Sequence, residues 1–181
     1  NIVVVIDEAY NEYLDSAIQY DSVEWVKKYP NLLVSRTFSK AYGLAGLRVG
    51  FGLAQPELTD LLNRIRQPFN VNTLAQAAAV AALNDKDFLE KSAQINADGY
   101  RFLTGSFREM GLEYVPSHGN FVLVKVGEDD GAGSRINLEL LKKGIIVRPV
   151  NAYGLPKWLR ISIGLPEENQ AFVRALKEIL A

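Results

Sequence analysis

The feature that most constrains the fold is an unbroken apolar run, Ile2–Ile6, which ends at Asp7. Every side chain in the run is β-branched and no polar residue interrupts it. Such a run predicts a β-strand that is buried on both faces of a parallel sheet. Ligands of open parallel sheets bind beyond the carboxyl ends of the strands, so Asp7 is the first candidate for a binding residue.

Strands and helices alternate after this run. A short helix is predicted at Val23–Tyr29, and strands are predicted at Leu32–Ser35 and Arg48–Leu53. Pro56 then begins a helix with one apolar stripe. The alternation predicts an α/β protein, in which these residues form part of a large domain with a mostly parallel sheet and covering helices.

The rest of the chain predicts a helical segment followed by a smaller α+β unit. Thr73 and Gln76 have the spacing of a capping box, and a longer helical pattern extends to about Met110. The later elements are strands at Phe121–Val126, Gly144–Val150 and Trp158–Ile163, a helix at Ser134–Lys143 and a last helix from Pro166. We therefore expect three parts: residues 1–66 of the large domain, a helical connection in 67–110, and a small domain in 111–181.

Composition excludes several kinds of site. The 181 residues contain no cysteine, which excludes disulfides, thiol catalysis and Cys-ligated metals. The single histidine, His118, falls in a turn sequence, which argues against a His-based metal site or a Ser-His-Asp triad. A formal net charge of −1 gives no sign of nucleic-acid or membrane-surface binding. Nothing indicates export, so a cytoplasmic location is the default expectation.

Lys40 is surrounded by residues suited to pyridoxal 5'-phosphate (PLP). A lysine can supply the Schiff base, hydroxyls and an arginine can hold the phosphate, and a carboxylate such as Asp7 can pair with the pyridinium nitrogen. Thr37 and Ser39 precede Lys40 and flank Phe38, so their hydroxyls share one side if the segment is extended. Arg48 adds a planar fork that suits bidentate phosphate binding.

Alternative roles stay open for both Asp7 and Tyr10. Asp7 by itself could be a loop aspartate that caps the following turn, and the proximity of a Lys40 motif favours the cofactor role. Tyr10, three residues after Asp7, could donate its hydroxyl to the cofactor's phenolate oxygen. A packed tyrosine with its hydroxyl at the surface is the alternative, and the motif does not decide between them.

Two arginines in the last third of the chain are candidate anion-binding residues. Arg160 is the sole charge in Trp158–Ile163, and a buried arginine needs an anionic partner. We predict a substrate carboxylate as that partner, with a structural acidic residue as the alternative. Arg148 could form a second anion site, although a solvated strand end explains it nearly as well.

Together these residues resemble the fold-type I, PLP-dependent aminotransferases of the class II branch. The segment Asp7–Tyr10 resembles the strand end that binds the pyridinium ring, and Ser39-Lys40 with Arg48 resembles the Schiff-base signature. The resemblance implies a role for each candidate: Asp7 binds the ring nitrogen, Tyr10 the phenolate oxygen, Thr37, Ser39 and Arg48 the phosphate, Lys40 the cofactor carbonyl carbon, and Arg160 the substrate α-carboxylate.

Within this branch the sequence is most similar to the histidinol-phosphate aminotransferases. The segments that carry this similarity are Pro68–Asn72, Gly119–Val122, Gly144–Pro149 and Leu159–Gly164. The resemblance implies transfer of an amino group between L-histidinol phosphate and 2-oxoglutarate in histidine biosynthesis, with Arg148 helping to bind the substrate phosphate. It also implies a homodimer, and a chain that is the carboxyl-terminal half of the full enzyme and inactive when isolated.

Two alternatives to this function stay open. Another fold-type I PLP enzyme, such as an amino acid phosphate decarboxylase or an aromatic aminotransferase, would use the same motifs. A truncated, non-catalytic chain that only folds or associates would instead expose the apolar run Ile2–Ile6 as an unpaired sheet edge.

Overall fold

The computed structural model describes residues 2–181, which divide into two compact units. The first unit ends at Ser92 and the second comprises Ala93–Ala181. The three-part division at residues 66 and 110 stays a prediction.

The first unit contains a three-stranded sheet in the order β1 (Val4–Asp7), β2 (Leu32–Thr37) and β3 (Gly50–Leu53). β1 and β2 are parallel, whereas β3 is antiparallel to β2. Helix α1 (Ser22–Lys28) connects the two parallel strands, and α2 (Pro56–Ile65) and α3 (Thr73–Asn84) follow β3. Single 3-10 turns occupy Asn11–Tyr13, Ser16–Ile18 and Ala45–Leu47. The predicted α/β class is confirmed.

A small apolar cluster holds α1 against the sheet. Val26 of α1 packs with Leu32 and Val34 of β2, and Ile6 and Leu53 border the cluster on the neighbouring strands. Because strand side chains alternate between faces, this cluster defines the α1 face of the sheet, and the opposite face is left for other contacts.

The predicted burial of Ile2–Ile6 on both faces was wrong for this chain. Ile2 is 77% exposed, and Val3 and Val5 are each 58% exposed. The physical reason is that β1 is the edge strand of its sheet, paired with β2 alone among the described strands. An exposed apolar edge of this kind can pair with a strand from another polypeptide segment.

The predicted capping box at the start of α3 was also wrong. Asn72 is the N-cap residue, and its Oδ1 accepts a hydrogen bond of 2.8 Å from the backbone N–H of Ala75. Thr73 is the first helical residue instead. Asparagine is as good an N-cap as threonine or better, which is why Asn72 can take the position one residue earlier.

The second unit has an antiparallel sheet in the order β4-β5-β7-β6, formed by β4 (Tyr114–Val115), β5 (Phe121–Lys125), β6 (Arg148–Val150) and β7 (Leu155–Ser162). Helices α5 (Ala132–Lys142) and α6 (Pro166–Leu180) pack with the sheet around one apolar core, which includes Leu159 and Ile161 of β7. The predicted alternation along β7 is therefore confirmed, with Arg160 on the face away from this core.

Helix α4 (Lys86–Glu109) is the longest helix and begins in the first unit. Its buried residues, including Leu103 and Phe107, belong to the core of the second unit. None of the helices in residues 2–181, α4 included, is long and apolar enough to cross a membrane.

Each unit contains one of the two tryptophans. Trp25 on α1 is stacked in parallel on Tyr20, with ring centroids 5.0 Å apart and planes at 1°. Trp158 lies on β7, in register with Lys125 of β5.

Two glycines of α4 provide a matched test of packing in the second unit. A Cβ added at Gly99 would meet the Ile163 side chain and lie 2.9 Å from Asn169 Nδ2. The Asn169 side chain is fixed by hydrogen bonds to both the N–H and the carbonyl of Gly164, so it cannot easily move. We expect Gly99→Ala to lower the free energy of unfolding by about 1–3 kcal/mol in urea titrations.

The control for this prediction is Gly105→Ala in the same helix. A Cβ at Gly105 meets no atom within 4 Å, so alanine should stabilise the helix by up to about 1 kcal/mol. Equal unfolding free energies for the two variants would contradict the packing that the structure shows around Gly99.

Candidate functional site

The face of the first sheet opposite α1 carries the predicted cofactor residues. Asp7 is in register with Ser35, which is in register with Gly52, and Thr37 is in register with Gly50. Residues in register share a face, so the Asp7 carboxylate and the hydroxyls of Ser35 and Thr37 lie on the same side of the sheet. The two glycines add no side chains there, and a Cβ at Gly52 would lie 3.0 Å from Cδ1 of Leu33.

Asp7 ends β1 with an exposed carboxylate. Its Oδ1 accepts a hydrogen bond of 3.1 Å from the backbone N–H of Ala9. Asp7 therefore does cap the turn that follows it, as the alternative interpretation expected. The same hydrogen bond also holds the carboxylate at the carboxyl end of the strand. A fixed, exposed carboxylate is suited to accept a proton donor such as the N–H of a protonated heterocycle.

The chain turns directly after Thr37, so the hydroxyls of Thr37 and Ser39 come together through a turn and not along an extended strand. β2 ends at Thr37, and the backbone N–H of Ser39 donates to Thr37 Oγ1 at 3.1 Å. Ser39 Oγ in turn lies 3.4 Å from Arg48 Nη1. An extended segment does not form, and a tight turn brings the hydroxyls and the guanidinium together instead.

Arg48 has a strained backbone. It adopts φ 54° and ψ 54°, the left-handed region that non-glycine residues rarely occupy. Its Nη1 donates to the carbonyl of Ala45 at 2.9 Å, which holds the guanidinium beside the Ser39 hydroxyl. Strained residues of this kind often occur at binding sites, and no sequence pattern predicted this one.

Lys40 contacts Tyr10 across the two loops that follow β1 and β2. The Lys40 Nζ lies 5.5 Å from the centroid of the Tyr10 ring, and both side chains are half-buried. The Lys40 carbonyl accepts a hydrogen bond of 2.9 Å from the N–H of Gly43, which closes the turn after the lysine. The structure thus places the amine and the phenol ring side by side.

These contacts unite the six predicted cofactor residues at one end of the first sheet: Asp7, Tyr10, Thr37, Ser39, Lys40 and Arg48. Their groups can hold a phosphate ester with hydroxyls and a guanidinium, a protonated ring nitrogen with a carboxylate, and a carbonyl carbon with a primary amine. No cluster of acidic residues or histidine in residues 2–181 is arranged to hold a metal ion. The only histidine, His118, is exposed in a bend.

Sequence reasoning missed an ion pair beside this site. Arg36 Nε lies 2.8 Å from Glu8 Oε2, and the Glu8 side chain is fully buried. Arg36 Nη2 also lies 3.4 Å from the hydroxyl of Ser22, the first residue of α1. The sequence shows the two opposite charges but not the pairing of β1 with β2 that brings them together.

The second unit brings Arg148 and Arg160 together. They are directly in register on β6 and β7, so their side chains leave the same face of the sheet. The Arg160 guanidinium lies 5.2 Å from the Phe121 ring centroid, and its Nε is buried without a hydrogen-bond partner among residues 2–181. Like charges in register repel each other, so this arrangement favours an anion between or beside them. Arg148 is exposed, so the solvated-end alternative stays open for it.

Comparison with known proteins identifies the family. The sequence profile described as "Aminotransferase class I and II" matches residues 1–176. The chain belongs to the class I and II aminotransferases. It is 71% identical over 180 residues to histidinol-phosphate aminotransferase 2 of Ralstonia nicotianae, covering 99% of this chain and 48% of that protein.

Two solved structures of related proteins show the same fold. Histidinol-phosphate aminotransferase of Sinorhizobium meliloti, solved in complex with pyridoxal-5'-phosphate, matches with a TM-score of 0.89 and 34% identity over 98% of this chain and 48% of that one. L-threonine-O-3-phosphate decarboxylase of Porphyromonas gingivalis matches with a TM-score of 0.80 and 26% identity over 97% of this chain and 54% of that one. The chain spans about half the length of the curated relatives it matches.

The left-handed backbone at Arg48 can be tested separately from its side chain. Arg48→Ala and Arg48→Gly both remove the guanidinium, but only glycine adopts this backbone conformation without steric cost. We expect the glycine variant to exceed the alanine variant in free energy of unfolding by about 1–2 kcal/mol, measured in urea. Equal stabilities would show that Arg48 is not held in the left-handed conformation.

Proposed function

We propose that this chain provides PLP-binding and substrate-binding residues to a transaminase that uses L-histidinol phosphate and 2-oxoglutarate in histidine biosynthesis. The observation that carries the proposal is the cluster at the ends of β1 and β2, where Lys40 contacts Tyr10 and Ser39 contacts Arg48. The 71% identity to an aminotransferase named for histidinol phosphate supports the choice of substrate.

The residues at this end of the sheet fit PLP. The Asp7 carboxylate, the hydroxyls of Thr37 and Ser39 and the Arg48 guanidinium supply the acceptor and the donors that its ring nitrogen and phosphate need. Asp7 would hold the ring nitrogen, Tyr10 the phenolate oxygen, and Thr37, Ser39 and Arg48 the phosphate. When bound, PLP supplies an electron sink for chemistry at the substrate's α-carbon.

Lys40 has two tasks in this proposal. Its Nζ would hold the cofactor covalently, and the same amine would accept and return the proton at the substrate's α-carbon. The half-buried position beside the Tyr10 ring limits the amine's freedom and keeps it at the carboxyl end of the strands. Positioning of this kind is a large part of general-base catalysis.

Arg160 and Arg148 would bind the anionic groups of the substrates. The buried, unpartnered Nε of Arg160 is a donor that lacks an acceptor among residues 2–181, and a carboxylate would supply it. Arg148, exposed and in register with Arg160, would contact the phosphate of L-histidinol phosphate or the distal carboxylate of 2-oxoglutarate.

A second candidate function is decarboxylation of an amino acid phosphate. The similarity to the Porphyromonas gingivalis decarboxylase favours it, because the same cofactor residues can serve either reaction. Formation of glutamate from L-histidinol phosphate and 2-oxoglutarate would support the transaminase. Release of carbon dioxide from an amino acid phosphate without glutamate would support the decarboxylase.

The proposal also includes the oligomeric state, the location and the domain limits of the protein. We infer a homodimer of a longer, cytoplasmic protein, with the domain limits near residues 66 and 110. Phe69 is 98% exposed and has a left-handed backbone, φ 55°, which supports a role for the loop Pro68–Asn72 in contacting a partner subunit. Light scattering that gives one chain per particle for the full-length protein would exclude the dimer.

The role of Lys40 predicts a single site of covalent labelling. The purified chain is mixed with PLP, reduced with borohydride, digested and mapped by mass spectrometry. We expect a phosphopyridoxyl group on Lys40 alone, and none after Lys40→Ala, because the hydroxyls and Arg48 localise the cofactor beside this amine.

Lys28 is the matched control for this experiment. Its Nζ lies 5.2 Å from the Tyr29 ring, so it shares the aromatic contact of Lys40 but has no neighbouring phosphate site. Lys28→Ala should leave labelling of Lys40 unchanged. Labelling spread evenly over the surface lysines would overturn the assignment for this chain.

The role of Arg160 predicts weaker binding of dicarboxylates. Arg160→Gln keeps a polar side chain but removes the charged fork, so affinity of the purified chain for 2-oxoglutarate should fall about tenfold or more, roughly 1.4 kcal/mol, in calorimetric titrations. Arg174→Gln, at an exposed position on α6, should leave the affinity unchanged. An equal loss in both variants would show that only net charge matters.

A further inference from the structure

We propose that Glu8 and Arg36 are a positioning pair, which holds the ends of β1 and β2 so that Asp7 and Thr37 face the cofactor side of the sheet. The inference deepens the proposed function and rests on it for the identity of the ligand. Neither residue belongs to the predicted cofactor set, and both would act through their neighbours Asp7 and Thr37.

The pair lies at the point where the strand ladder stops. The last residues in register are Asp7 of β1 and Ser35 of β2, and the backbone N–H of Glu8 adds one more bond, 2.8 Å, to the carbonyl of Ser35. Beyond that point the contact of Arg36 Nε with Glu8 Oε2, at 2.8 Å, is the side-chain link between the two strand ends. It therefore continues the pairing past the end of the ladder.

Side-chain alternation connects the pair to the ligand residues. Glu8 directly follows Asp7, and Arg36 directly precedes Thr37, so each member of the pair is adjacent to one candidate cofactor residue. Neighbouring residues of a strand point to opposite faces. Holding Glu8 and Arg36 on the α1 face thus turns Asp7 and Thr37 to the opposite face, and a slip of one residue would reverse them.

Burial and a second contact restrict the geometry of the Glu8–Arg36 ion pair. The Glu8 side chain is fully buried and that of Arg36 is 23% exposed, so water competes little for their contact. Arg36 is anchored on its other side by the Ser22 hydroxyl of α1, at 3.4 Å. A half-buried guanidinium that bonds to a carboxylate and a hydroxyl has few alternative positions, which suits it to fix a strand end.

The second oxygen of Glu8 argues against a purely stabilising role. Glu8 Oε1 is buried without a hydrogen bond of good geometry among residues 2–181, although the Tyr20 side chain interacts with the carboxylate. Partly satisfied buried ion pairs are often replaceable by apolar side chains without loss of stability. Stability alone does not require such a pair, and this one spans two strand ends that carry predicted ligand residues.

Two backbone amides report directly on this positioning. The Ala9 amide donates to Asp7 Oδ1 and the Ser39 amide donates to Thr37 Oγ1, both at 3.1 Å. Hydrogen exchange at these amides measures whether Asp7 and Thr37 keep their places, without any cofactor present. The amide of Val34, inside β2, is the internal control for the integrity of the sheet.

The decisive variant replaces both partners, Glu8→Leu with Arg36→Met, because apolar side chains of similar size can preserve a buried contact's packing. In the folded double variant we expect exchange at Ala9 and Ser39 to accelerate at least fivefold, while Val34 and the urea midpoint stay unchanged. Unchanged exchange at Ala9 and Ser39 would overturn the proposal and leave the pair a structural one.

Arg36→Lys provides the same comparison if the double variant does not fold. It keeps the positive charge but lacks the planar fork that reaches Glu8 and Ser22 together. Faster exchange at Ala9 and Ser39, with Val34 unchanged, supports positioning. Exchange equal to that of the unaltered chain at all three amides refutes it.

Borohydride labelling with PLP then separates this inference from the proposed function. If the unaltered chain is labelled at Lys40 and the double variant loses at least tenfold in labelling, both proposals stand. If the unaltered chain is not labelled but Ala9 and Ser39 still respond to the substitutions, positioning stands and PLP binding by this chain fails. If labelling of Lys40 survives and the amides do not respond, the function stands and positioning fails.

Discussion

The parallel pairing of β1 with β2 is the constraint on which the candidate site depends. Parallel strands end at the same edge of a sheet, so the residues that follow both strands meet there although some thirty positions separate them in sequence. Asp7 and Tyr10 arrive from one strand, and Thr37, Ser39 and Lys40 arrive from the other. An antiparallel pairing would have placed these two groups at opposite ends of the sheet.

The second unit organises charge in a different way. Two arginines in register on adjacent strands repel each other, and the sheet tolerates them because one is exposed and the other rests against an aromatic ring. In the first unit the opposite solution appears, since Glu8 neutralises Arg36 inside the protein. The charge of Arg36 is therefore compensated inside the protein, whereas Arg148 and Arg160 bring two like charges into register.

Local sequence patterns predicted most elements and the chemical groups of the site. The alternation along β7, the helix that begins at Pro56 and the last helix at Pro166 all follow from periodicity and proline, which act within a few residues. Features that depend on distant partners could not be predicted. These include the antiparallel direction of β3, the exposed edge of β1 and the ion pair of Glu8 with Arg36, because strand order decides them and a single sequence does not reveal it.

The distribution of the two tryptophans gives each unit its own optical signal. Trp25, stacked on Tyr20, emits from the first unit, and Trp158 on β7 emits from the second. Replacing either one with phenylalanine leaves a single fluorophore, so unfolding of the two units can be followed independently in the same chain. Trp158 also stands two positions before Arg160 on β7 and so shares its face of the sheet, close enough for its emission to respond to an anion at that arginine.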